Sequence, residues 1–167
     1  PIITVLPGSR IGEIKRMCPI FNKVLNNIEK LYPDSQFILP VASSVEKDVI
    51  NTVSSWNIKP LLLLNEGKDS KEIEHDKFIT YSISSAALAT SGTVSLELAA
   101  KKCPMIVAYK ANWITTKMVK KLAKIDTANL INIITDTKVI PEHLFESCTV
   151  ENITESLKSL LNNDNNQ

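Results

Sequence analysis

The chain has 167 residues, 44% of them hydrophobic, which suffices for one core of ordinary size and does not demand a second. Its formal net charge of +1 excludes the broad basic surface of a general nucleic-acid binder, so charge is informative only locally. Cys18, Cys103 and Cys148 are widely separated and lack disulfide-framework or zinc spacing, and no apolar run approaches the roughly 20 residues that span a bilayer; a cytoplasmic protein is expected.

Pro1 to Leu6 passes straight into an apolar run with no initiator methionine and no leading polar turn. That beginning reads as the cut edge of a longer protein, with an N-terminal domain missing that completes the active site. Apolar, β-prone runs at Ile2 to Leu6, Gln36 to Val41, Leu61 to Leu64, Ala86 to Thr90 and Pro104 to Tyr109 predict five parallel strands. Glu13 to Met17 reads as a short turn. The helix with Ile20, Val24, Leu25, Ile28 and Leu31 inward is expected to start at Pro19, since proline suits a first helical position. Val45 to Trp56 and Thr93 to Lys102 read as crossover helices. Within 65–85, the charged first half suggests a loop and Phe78 to Ser84 a short helix. Further helices are expected at Trp113 to Ile125 and at Glu151 to Leu161, opened near Thr149 or Val150. Residues 1–161 then form one domain and Asn162 to Gln167 a disordered tail. Strands alternating with helices imply an α/β class, a Rossmann-like doubly wound parallel sheet.

Two segments some eighty residues apart have the composition of phosphate cradles: Leu6-Pro7-Gly8-Ser9-Arg10 and Ser91-Gly92-Thr93-Val94-Ser95-Leu96-Glu97. Each follows a predicted strand and opens a helical pattern, so each presents backbone N–H groups and the positive end of a helix dipole to an anion. Gly8 permits a close approach, Ser9 can donate, and Arg10 offers a fork matched to phosphate. Of 19 lysines and arginines, only Arg10 and Arg16 are arginine. In the second segment Ser91, Gly92 and Thr93 supply hydroxyl and N–H donors, while Glu97 lies one turn inside the helix, where its carboxylate can accept from two sugar hydroxyls. The plain alternatives are a strand-to-helix turn with an exposed arginine and a helix start with a dipole-favoured glutamate. Neither G-x-G-x-x-G nor G-x-x-x-x-G-K-[ST] occurs, which disfavours NAD enzymes and nucleoside triphosphatases.

With Glu13 after the first segment, Tyr32-Pro33, Leu96-Glu97, Lys102-Cys103-Pro104-Met105-Ile106-Val107 with Tyr109-Lys110, and Asn132 inside Leu130-Ile131-Asn132, the chain resembles the C-terminal half of the lipid-A-disaccharide synthase family. These are inverting glycosyltransferases with two Rossmann-like domains of the GT-B type. The matches run through nearly the whole chain in the family's order. Departures fall at Ile131, where the family often has proline, at Ser85, where it often has aspartate, and at Phe145, where glutamine is common. The resemblance implies binding of the UDP part of a UDP-diacylglucosamine donor: Arg10 on the diphosphate, stabilising the leaving UDP, Gly92 and Thr93 assisting, Glu97 on the ribose, and Asn132 reaching the sugar-nucleotide. The sugar would pass to a diacylglucosamine phosphate acceptor. The general base and acceptor site belong to the family's N-terminal domain, so this half should bind donor without turnover. No metal or cofactor is implied, and His75 and His143 are read as surface or packing residues. Rivals are another UDP-sugar GT-B enzyme, such as the peptidoglycan glucosaminyltransferase or a UDP-sugar epimerase, and a non-catalytic nucleotide-binding domain.

Lys117, Lys120, Lys121 and Lys124 fall on one face of a helical pattern whose other face carries Ile114, Met118, Leu122 and Ile125. A solvated lysine face is the ordinary reading. Because both implied substrates are acylated, contact with an anionic membrane, peripheral on the inner face, is the sharper expectation. A homo-oligomer is a further expectation.

Overall fold

The computed structural model describes residues 1–90, 92–110, 127 and 129–164. Among them are β1 (Ile2–Leu6), α1 (Ile11–Leu31), β2 (Gln36–Pro40), α2 (Glu46–Ser54), β3 (Leu61–Leu63), α3 (Ser70–Ile83), β4 (Ala86–Thr90), α4 (Val94–Ala100), β5 (Met105–Tyr109), α5 (Leu130–Thr135), β6 (Glu142–Leu144) and α6 (Val150–Asp164). The strands form one parallel sheet in the order β3-β2-β1-β4-β5-β6. This is the doubly wound, Rossmann-like arrangement expected. The order reverses between β1 and β4, which pair with Thr4 opposite Ala87 and Leu6 opposite Ala89.

Side chains alternate across the strands, so each strand contributes to two cores. On one face Ile3, Val5, Phe37, Leu39, Leu88 and Ile106 meet the apolar stripe of α1, with Val49 and Val53 of α2 and Ile153 and Leu157 of α6. The α1 stripe itself, Ile14, Met17, Cys18, Phe21, Val24, Leu25 and Ile28, recurs at helical spacing and is buried throughout. Each such side chain fully removed from water contributes about 1.5–3 kcal/mol. The other face is thinner: Leu6, Ala87, Ala89 and Met105 pack with Tyr81 of α3 and Leu98 of α4, and Thr4 and Ser84 share a buried hydroxyl contact of 2.7 Å. All three thiols are buried and unbridged, and burial pushes those of Cys18 and Cys148 up to about 12 and about 11.

Several elements differ from the sequence expectation, each for a local reason. α1 begins at Ile11, not at Pro19, which sits inside the helix. An interior proline costs about 3 kcal/mol. Here Pro19 and Lys15, whose carbonyl it leaves without a helical donor, are both exposed, so water can serve that carbonyl while the buried stripe stays continuous. The charged stretch before Phe78 is helical because Asp69 caps α3: its carboxylate accepts from the N–H groups of Lys71 at 2.7 Å and Glu72 at 2.9 Å, and the Glu72 carboxylate accepts from Asp69 N–H at 2.8 Å. A sixth strand, β6, joins the edge beside β5. α6 continues to Asp164, into the segment expected as a tail, and Tyr32 Oη donates to Asn162 Oδ1 at 2.7 Å. The helix expected over Trp113 to Ile125 lies outside the described residues.

Candidate functional site

The turns leaving β1 and β4 lie side by side at the carboxyl edge of the sheet because those two strands are neighbours. A cleft of about 510 Å³ opens there, within the size range of small-molecule sites. Gly8, Ser9, Arg10 and Glu13 line one side of it, Thr90, Gly92, Thr93 and Glu97 another, with Pro40 to Ser43 and Asn65 beyond β2 and β3 and Ile73, Lys77 and Tyr81 from α3.

The first turn is closed by its own glutamate. Gly8 has φ +114°, and a Cβ there would lie 2.4 Å from Glu13 Oε2 and 2.7 Å from Glu13 Cβ, so only glycine fits. The buried Glu13 carboxylate accepts from Ser9 N–H at 2.9 Å and Arg10 N–H at 3.3 Å. Two of the backbone donors expected to cradle a phosphate are therefore occupied by an internal carboxylate. Ser44 Oγ braces the turn by donating to the Ser9 carbonyl at 2.9 Å. The Arg10 side chain is 83% exposed and 3.5 Å from Glu13 Oε1, an ion pair loose enough to yield to a ligand.

The second turn leaves its glutamate open. Ser95 Oγ donates to the Gly92 carbonyl at 2.9 Å as α4 starts, and Glu97, one turn in, keeps its half-exposed carboxylate in the cleft, 3.8 Å from Lys77 Nζ. Ser91 lies outside the described residues. Tyr81, one turn after Lys77 on α3, is buried with its hydroxyl against the Glu97 carboxylate. Burial, followed by the charge of Glu97, the hydrogen bond to that carboxylate and the charge of Cys103, raises its pKa above the ordinary phenol range, so at neutral pH it is a donor.

Asn132 is not brought to the cleft. It is buried, its Nδ2 donates to the Ile140 carbonyl at 2.8 Å and to Glu142 Oε1 at 2.6 Å, and its Oδ1 accepts from Ile140 N–H at 2.9 Å. Glu142 also accepts from Thr127 Oγ1 and Asn129 N–H. An amide so engaged pins α5 to β6 and has no N–H left to donate to a sugar. His75 is exposed on α3, and the half-buried His143 has Nε2 2.8 Å from Ser156 Oγ, with burial lowering its pKa; neither lines the cleft. Lys117, Lys120, Lys121 and Lys124 lie outside the described residues.

Sequence reasoning missed Lys77, Tyr81 and Thr90. The signal was present for two of them, since Ile73, Lys77 and Tyr81 are four apart and share a face once the Asp69 and Glu72 capping box starts the helix at Ser70.

The family model described as lipid-A-disaccharide synthetase matches residues 1–167. The chain belongs to the lipid-A-disaccharide synthetase family. The lipid-A-disaccharide synthase of Ruegeria pomeroyi is 39% identical over 160 residues, covering 96% of this chain and 40% of that protein. The chain thus spans about two fifths of the length of the curated relative it matches. Its fold is shared with an E. coli ADP-heptose lipopolysaccharide heptosyltransferase II, at TM-score 0.66 and 13% identity over 99% of this chain and 47% of that one. A UDP-GlcNAc 2-epimerase from Neisseria meningitidis, bound to UDP-GlcNAc, matches at TM-score 0.54 and 18% identity over 96% of this chain and 36% of that one. Among the described residues of this family member, no helix is long and apolar enough to cross a membrane.

Proposed function

We propose that the cleft binds the UDP part of UDP-diacylglucosamine, and that the whole enzyme transfers diacylglucosamine to diacylglucosamine 1-phosphate with release of UDP. The observation that supports this most is the meeting of Arg10, Gly92, Thr93 and Glu97 on one cleft at the strand-order reversal. Arg10, free to swing from Glu13, holds the diphosphate and stabilises the charge that develops as UDP leaves. The turn at Gly92 and Thr93 assists at the phosphates, and Glu97 accepts from the ribose. The first turn contributes its guanidinium and the Ser9 hydroxyl more than its backbone donors, which Glu13 holds. The general base and the acceptor site are assigned to the part of the enzyme beyond this chain. The acylated substrates bring that enzyme to a membrane surface, with Lys117, Lys120, Lys121 and Lys124 as the contact.

Calorimetric titration with UDP, with ADP and NAD as controls and no added metal, tests the reading. Saturable binding of UDP alone is the expected result. Equal binding of ADP, or of NAD, sinks the uridine assignment. Absence of UDP binding in both this chain and the full-length protein sinks the site.

A further inference from the structure

The cleft has a wall that the two glycine turns do not supply. Lys77 and Tyr81, one turn apart on α3, line it together with Glu97 of α4. Tyr81 is 1% exposed and its ring is packed in the thinner core with Leu6 and Leu98, so its hydroxyl has almost no access to water. A phenylalanine would fill that space with no polar atom to satisfy. Burying a hydroxyl is unfavourable unless it finds a partner, and the partner here is the Glu97 carboxylate.

The carboxylate is held from two sides. Tyr81 donates to it from within the fold, and the half-exposed Lys77 places Nζ 3.8 Å from Glu97 Oε2. At that distance the ammonium attracts the carboxylate without taking up one of its hydrogen-bond sites. An ionised carboxylate offers about four such sites, so one bond from Tyr81 leaves room for both hydroxyls of a vicinal diol. A glutamate free on a helix surface samples several rotamers, and fixing one of them at the moment of binding weakens affinity. Tyr81 and Lys77 remove part of that loss before any ligand arrives.

We propose that Tyr81 and Lys77 are positioning residues that set the Glu97 carboxylate in the orientation that receives the ribose diol. This rests on the assignment of Glu97 to the ribose of a uridine nucleotide. Both residues act through Glu97 and not on the nucleotide itself. Their role is therefore one of specificity: it strengthens the binding of ligands that carry the diol and does nothing for a nucleotide that lacks those hydroxyls.

The test is calorimetric titration of UDP and 2′,3′-dideoxy-UDP against the full-length protein, unaltered and as Tyr81→Phe, Lys77→Met, Glu97→Ala and the double variant Tyr81→Phe with Glu97→Ala. Tyr81→Phe keeps the ring and removes only the hydroxyl, so it should weaken UDP about fivefold and dideoxy-UDP by less than about twofold. Lys77→Met should weaken UDP about threefold, again with little effect on dideoxy-UDP. Once Glu97→Ala has removed the carboxylate, adding Tyr81→Phe should change UDP affinity by less than about twofold. A residue that only packs the core would weaken both nucleotides alike, with or without Glu97, and that result overturns the proposal. Unchanged UDP affinity in Tyr81→Phe also overturns it. Should Tyr81→Phe fail to fold, Lys77→Met carries the decision, since its half-exposed side chain is not needed for folding, and unchanged UDP affinity there overturns the proposal. If the unaltered protein binds both nucleotides equally, or neither, the ribose assignment of Glu97 fails and this inference falls with it. That result is distinct from unaltered protein that prefers UDP and variants that prefer it as strongly.

Discussion

Two segments of this chain share one pattern, a glycine, a hydroxyl residue, three further residues and a glutamate: Gly8 to Glu13 and Gly92 to Glu97. Both turn from a strand of the sheet into a helix, and both line the same cleft. Glu13 folds back, is buried, and satisfies the N–H groups of Ser9 and Arg10. Glu97 stays half-exposed and faces Lys77 from across the cleft. One spacing therefore serves two ends: the first glutamate holds its turn together, and the second is left available to a ligand. The difference lies in what surrounds each glycine. Both have positive φ, +114° at Gly8 and +156° at Gly92, but a Cβ on Gly8 would run into Glu13 at 2.4 Å, whereas nothing lies within 4 Å of where a Cβ on Gly92 would be.

That contrast can be broken by mutation. The largest effect should come from Gly8→Ala, which forces a strained φ and a clash with Glu13; a loss of about 3 kcal/mol in urea unfolding is expected, and a loss below about 1 would show that the turn can open. Glu13→Ala should cost about 2 kcal/mol by the same measurement, because a cap is lost and two N–H groups lose their acceptor. Glu97→Gln should leave urea stability within about 0.5 kcal/mol, since its ion pair is half in solvent, yet weaken UDP about tenfold in calorimetry. If instead Glu97→Gln destabilises as much as Glu13→Ala, the two glutamates do the same work and the contrast is gone. The smallest effect, about fivefold on UDP affinity with no change in stability, is expected for Arg10→Lys, which keeps the charge and loses the fork. Unchanged UDP affinity there removes Arg10 from the diphosphate.

The strands that build the site were legible in the sequence because β1, β4 and β5 are nearly uniform apolar runs bounded by turn residues, as a sheet covered on both faces requires. β6 was not, because Glu142, His143 and Leu144 are only half-buried at the sheet edge and carry no apolar pattern. Pro19 misled because its position says nothing about the stripe of Ile14, Met17 and Cys18 that carries the helix through it. The two glycine turns announced themselves by composition. That Glu13 would occupy the donors of the first turn, and that Asn132 would spend its amide on Ile140 and Glu142, depends on contacts that spacing alone does not rank.

The pairing of β1 with β4 has a consequence for how the protein acquires its site. The strands are brought together across about eighty residues of chain, while β2, β3 and their helices fold out to one side of β1. Closing so long a loop is an entropic step that local helix formation does not share, and topologies rich in such contacts fold slowly. A molecule with every helix formed but this one pairing missing has no cleft at all. On the proposed reading of the cleft, affinity for UDP therefore reports on this pairing: during refolding, binding competence should lag behind helix content and arrive with the sheet.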